Sequence, residues 1–256
     1  MTRRRLVASA ALCVVAAGCD ARTSAQDHHH PPPSAAEANA TGYAELGPHM
    51  RVTVKPPVRA GDRERAERIV KEARRVVEKY KDHRRAVEDG YKPFLPHLPL
   101  PEHHFTNYWF GFKAGLTFDL ETPTSLLYVK EGARYRVTGV MFTAPAGASR
   151  EELDSRVPLS LAQWHLHTSV CLPPQGRGIE MLSKNARFGF EGSIATREEC
   201  EAAGGRFFPR LFGWMVHVYP GEQRLEDAFR MPAHHDHGRA DAPDQGRGDA
   251  DGKHVH

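Results

Sequence analysis

The chain has 256 residues, 40% hydrophobic and 26% charged, enough apolar side chain for one sizeable core. Its 35 Lys and Arg stand against 32 Asp and Glu, and without Arg3, Arg4 and Arg5 of a removable leader the two balance at 32. So even a balance gives no grounds for a nucleic-acid partner or for an anionic surface recognised by bulk charge.

The leader comes first. Arg3 to Arg5 precede an apolar run from Leu6 to Ala17 and then Gly18 and Cys19, and the run is short for a membrane span. Val15-Ala16-Ala17-Gly18-Cys19 resembles the lipobox of bacterial lipoprotein signals, with Ala16 where Leu is usual. That resemblance implies a signal peptide over 1–18, acylation of Cys19 (palmitate among the acyl groups), and a membrane-anchored protein facing the periplasm or exterior. Residues 19–56, poor in hydrophobic period and containing His28 to His30 and then Pro31 to Pro33, read as a flexible tether. A single β-rich globular domain is expected over 57–231, and 232–256 reads as a disordered tail carrying five histidines. Such tracts serve either as low-affinity metal collectors or as plain solvated polar tails.

Within the body, Asp62 is placed to cap a helix in which Ala66, Ile69, Val70, Ala73, Val76, Val77, Tyr80 and Val87 recur every three or four residues up to Gly90. Four prolines from Pro93 to Pro101 make an extended connection into a predicted strand over 103–110. Residues 125–130 and 133–143 predict a hairpin turning at Glu131 and Gly132. A polar loop with a short helix at Arg150 to Leu153 leads into the strand of Pro158 to Cys171, and 172–196 shows no regular pattern. Thr196 followed by Glu199 is a capping-box signal for a short helix, and Phe212 to Tyr219 predicts the last strand. The pattern is mainly β, a sandwich or cupin-like barrel with one long N-terminal amphipathic helix packed outside.

Chemistry concentrates in the histidines. His165 and His167 stand two apart on a predicted strand and so project to one face, while Trp164 and Leu166 take the other. His217 shares a face with Met215 and Tyr219, and of His103 and His104 only one can join an internal site. Imidazoles converging from separate strands make a nitrogen-rich site for copper or zinc, with iron or manganese as further options. The plainer alternative makes each a core histidine bonded to backbone or to Asn107. HExxH, phosphate-loop, CxxC and GxSxG signatures are absent. The H-x-H pair with a later histidine resembles cupins, but Thr168, Ser169 and Val170 stand where a cupin's glutamate falls. His104, His165, His167 and His217 are therefore the expected ligands, with Asn107 and Tyr219 as supporting residues and Tyr108 as a further group able to position a substrate. The expected function is metal binding or handling. The alternatives are a metal-dependent enzyme of cupin-like type, activating water or dioxygen, and a structural or interaction lipoprotein without metal.

Once Cys13 leaves with the leader and Cys19 is acylated, Cys171 and Cys200 remain, and an oxidising compartment favours a disulfide between them over a Cys171 thiolate ligand beside His167. Finally, His104 to Asn107, Pro123 to Tyr128, Val137 to Phe142 and Trp214 to Val218 resemble the motif order HYxN, PExLLY, VGVxY and HVW of an uncharacterised family of secreted bacterial proteins, with Thr124 where that family has Glu. The resemblance implies His104 rather than His103 as the site residue and carries no activity.

Overall fold

The computed structural model describes residues 41–231, so the leader, Cys19, most of the expected tether and both histidine tracts lie outside the described residues. Eight strands form one antiparallel sheet in the order β1-β2-β7-β8-β6-β5-β4-β3, with β1 and β3 as its two edges. The strands are β1 (Tyr43–Glu45), β2 (Met50–Thr53), β3 (Lys92–Pro93), β4 (His103–Thr106), β5 (Ser125–Glu131), β6 (Arg134–Ala144), β7 (His165–Leu172) and β8 (Arg206–Val218). The expectation of mainly β structure therefore holds at the level of a single eight-stranded sheet with few helices.

Alternation along the strands splits this sheet into two unlike faces. Phe105, Leu126, Tyr128, Val140, Phe142, Trp164, Leu166, Trp214, Val216 and Val218 belong to one large core. Helix α1 (Asp62–Lys79) covers it with Ala66, Ile69, Val70, Ala73 and Val76, the residues whose spacing marked the helix in the sequence. Burial of each Ile or Val there contributes about 1.5–3 kcal/mol. The residues between, Leu127, Met141, Met215 and Tyr219, form a separate and smaller cluster on the opposite face.

Several elements differ from expectation. The tether ends earlier than residue 56, because Met50 and Val52 alternate with polar residues and pair with His167 and His165 of β7. Gly61, at φ 84°, caps α1 rather than Asp62, whose carboxylate instead accepts from Ser160 Oγ (2.7 Å) and Arg59 N (2.9 Å). The helical stretch does not run on to Gly90: Tyr80 leaves helical geometry, and the Asp82 side chain accepts from Arg84 N to start α2 (His83–Glu88). The expected strand over 103–110 stops at Thr106, where Asn107 accepts from Phe110 N and starts α3 (Tyr108–Ala114). Ser149 caps α4 (Arg150–Arg156) and Thr196 caps α5 (Arg197–Ala202). Strand β8 begins six residues before Phe212, since Arg206 to Leu211 pair with the second half of β7.

Cys171 and Cys200 are joined in a disulfide, with Cα atoms 5.7 Å apart. It fastens α5 to β7, so Cys171 is not a thiolate ligand. Among the described residues, no helix is long and apolar enough to cross a membrane.

Candidate metal centre and its pocket

The smaller face carries the predicted histidines. His165 and His167 come from β7, His217 from β8 and His104 from β4, and the register sets Met215 opposite His165 and Met141 opposite His217. The rings form a row: His104 lies 5.4 Å from His217, His217 5.1 Å from His165, and His165 5.4 Å from His167, centroid to centroid. Two imidazoles sharing a tetrahedral ion at roughly 2.1 Å per nitrogen have centroids about 5 Å apart, so each adjacent pair stands at a separation that fits a shared ion. Among the described residues, however, no three His, Cys, Asp or Glu side chains already stand as a group that could hold an ion. Closing the row around a metal would require rings to turn inward.

The H-x-H pair sits at an irregularity. His165 pairs with Met215 and His167 with Leu211, so two residues of β7 face four of β8, and Phe212 within the extra pair has φ 64°. Bulges of this kind re-aim side chains and are common beside functional sites. Gly213 is needed there, since a Cβ on it would lie 2.1 Å from the Ala144 carbonyl oxygen.

His103 points to the other face, as alternation requires, and packs edge-on against Tyr135 at 5.5 Å. Burial, aided by the charge of Lys130, lowers its pKa. Asn107 does not support the imidazoles: its Oδ1 caps α3 and its Nδ2 donates to the Asp89 carbonyl at 3.1 Å. Tyr219 lies beside the row, with its ring 6.2 Å from that of His217.

A cavity of about 760 Å³ opens against this face. His104, His167, Met141 and Met215 line its inner wall, and the loop from Phe94 to Pro101, helix α3 and Phe190 supply much of the rest. Of the three non-glycine residues with positive φ among the described residues, Leu95 and Phe212 line it as well, and Phe94 meets Phe212 edge-on at 5.5 Å. Such backbone conformations cost about 1–3 kcal/mol each and cluster at sites of function.

One polar group of this cavity escapes sequence reasoning. Glu102 stands two residues before His104, and Tyr219 Oη donates to its Oε1 at 3.0 Å while Thr138 Oγ1 donates to its Oε2 at 3.1 Å. Burial pushes the Glu102 carboxyl above its ordinary value, partly offset by those two hydrogen bonds. Burial likewise raises the Tyr219 phenol, with the Glu102 charge acting in the same direction. The signal available was an E-x-H spacing that puts the carboxylate on the same side as His104; it was obscured by the prolines just before it. Gly139 makes the arrangement possible, because a Cβ there would fall 3.0 Å from Tyr219 Cδ1 and 2.5 Å from the Val218 carbonyl oxygen.

His49 is buried without having been singled out. Its Nδ1 lies 2.9 Å from the Ser169 carbonyl oxygen and its Nε2 2.6 Å from that of Gly192, so it ties β2 to β7 and the following loop. Comparisons with known protein families, with curated proteins and with solved structures give no match for this chain.

Proposed function

We propose that this is a lipid-anchored envelope protein that binds one transition-metal ion through His165, His167 and His217, with His104 as fourth ligand, at the inner end of an apolar pocket. The observation that carries the reading is the row of four imidazoles from three strands, spaced 5.1 to 5.4 Å apart along one sheet face. Neutral imidazole suits copper, zinc and iron alike, and the neighbouring Met141 and Met215 thioethers weigh toward copper, with zinc next. When bound, such an ion supplies Lewis-acid or redox chemistry to whatever occupies the pocket.

The cavity favours a metal-dependent enzyme over a carrier. A carrier needs only an exchangeable site, whereas a pocket of about 760 Å³ beside the ligands gives a small apolar molecule room next to the metal. The cupin-like reading of the fold belongs with this proposal, the smaller face of the open sheet standing where a barrel interior would. The chain's part would be to hold the imidazoles, exclude water with Phe94, Phe190 and Phe212, and present the Glu102 carboxylate, held by Tyr219, as a polar group.

The test is elemental analysis of the full chain after dialysis, in a background where the histidines at 28–30, 234, 235, 237, 254 and 256 are changed to Ser. One equivalent of copper or zinc is expected, falling to background when His165 and His167 are changed to Ala. Equal metal content with and without that pair overturns the proposal.

A further inference from the structure

We infer that the pocket binds a neutral, mainly apolar molecule carrying a hydroxyl group, and that Glu102 is the residue that accepts the hydrogen bond from that hydroxyl. The inference rests on the pocket assigned above as a substrate site, and on the carboxylate in its wall rather than on the metal.

Size and lining set the class. About 760 Å³ lies within the range of roughly 300–1,000 Å³ in which drug-sized molecules bury most of their surface. Phe94, Leu100, Tyr108, Phe190, Phe212 and Met215 line the interior with aromatic and aliphatic side chains, a surface that accepts an aromatic or alicyclic skeleton and disfavours an ion. Among the described residues no lysine or arginine lines the cavity while Glu102 and Glu191 do, so a carboxylate or phosphate on the ligand would face two carboxylates with only the imidazoles of His104 and His167, or an ion they hold, as counter-charge.

The polar end follows from the hydrogen-bond count at Glu102. A carboxylate has about four acceptor positions, and Tyr219 and Thr138 each donate to one of its oxygens. Both donors hold the carboxylate in place from the sheet side and leave acceptor capacity toward the cavity that Glu102 lines. A hydroxyl donor meets that capacity, whereas an ether or ketone oxygen would oppose it with a second acceptor. Tyr219 is here a positioning residue, since its hydroxyl is used on Glu102 and it does not line the cavity. Its ring is itself fixed by Arg230, whose guanidinium lies 4.0 Å from the ring centroid.

The experiment uses 2-naphthol and 2-methylnaphthalene, which match in shape and differ in the hydroxyl. Fluorescence titration of the full chain in a chelator should show both binding, with 2-naphthol roughly ten-fold tighter, the size of one hydrogen bond to a charged group. Changing Glu102→Leu should remove that ten-fold preference and leave 2-methylnaphthalene unchanged, which also reports that the pocket is still formed. Leu100→Trp, a loop substitution that fills the cavity, should weaken both. Equal affinity for the two probes, a preference that survives Glu102→Leu, or no binding of either overturns the inference. A hydroxyl preference seen only when metal is present would assign the hydroxyl to the ion and overturn it too. Because the chelator arm requires no metal, its outcome is separate from the fate of the metal proposal.

Discussion

The two faces of this sheet are built from the same strands and do opposite things. On the α1 side, Phe105, Phe142, Trp164 and Val216 close against helix residues as a dry core. On the other side, neighbouring residues His104, Met141 and Met215 line a cavity, with His165 buried beside them in the imidazole row. The lesson is that period-two alternation lets one sheet close one face into a core and leave the other to line a cavity, without lengthening the chain.

The sharpest way to break that comparison is a pair of neighbours in β6. Phe142→Ala on the covered face should cost about 3–5 kcal/mol of unfolding free energy, and Met141→Ala on the cavity face about 2, at the low end for a buried methionine because part of its surroundings is cavity rather than packed side chains. Urea denaturation of the two variants checks this, and equal losses would mean that the faces are not energetically distinct.

A smaller or comparable effect is expected from the disulfide. Cys171 and Cys200 close a loop of sequence separation 29 that includes Met181, Leu182 and Phe190 of the pocket wall. Replacing both cysteines by Ser should cost about 3 kcal/mol. Hydrogen exchange should rise over 172–200 and stay slow in α1; an equal rise in α1 would show that the loop supports both faces.

The smallest expected effect is electrostatic. The Glu102 carboxyl is raised by burial, so in the folded protein it keeps its proton to higher pH than the ordinary 4.5 of the unfolded chain. The folded state then holds more protons in that window, and stability is greatest below pH 4.5 and declines as pH rises through the folded value. Comparing wild type with Glu102→Leu in chelator should show this decline only in wild type. An identical pH profile would place Glu102 in water rather than in the pocket wall.

Much of this division could be read in the sequence. The H-x-H strand, the alternation of Met215, His217 and Tyr219 in β8 and the β5–β6 hairpin turning at Gly132 follow from local pattern, and the cystine from which two cysteines are left over. What escaped depends on long-range partners or on competing local bonds. Asn107 and Asp82 end one element and begin another by capping, which hydrophobic periodicity does not register. Tyr108 to Phe110 look like a strand because aromatic residues favour sheets, yet the Asn107 cap turns them into a helix. Strand β1 is only three residues long and takes its place through β2, while Val52 and Val54 already suggest a short strand at the end of the tether, which β7 fixes as β2. Glu102 acquires its meaning from Thr138 and Tyr219, 36 and 117 residues away.

The pairing of β2 with β7 also bears on how the molecule comes to be. Thr53 and Trp164 exchange hydrogen bonds across 111 residues, so the first strands must wait for most of the chain before they find their place. Contacts this distant form slowly, and until they do, the H-x-H strand offers an uncovered edge to any neighbouring chain. The step that covers the edge of the H-x-H strand is therefore the one before which an immature molecule is most exposed to mispairing.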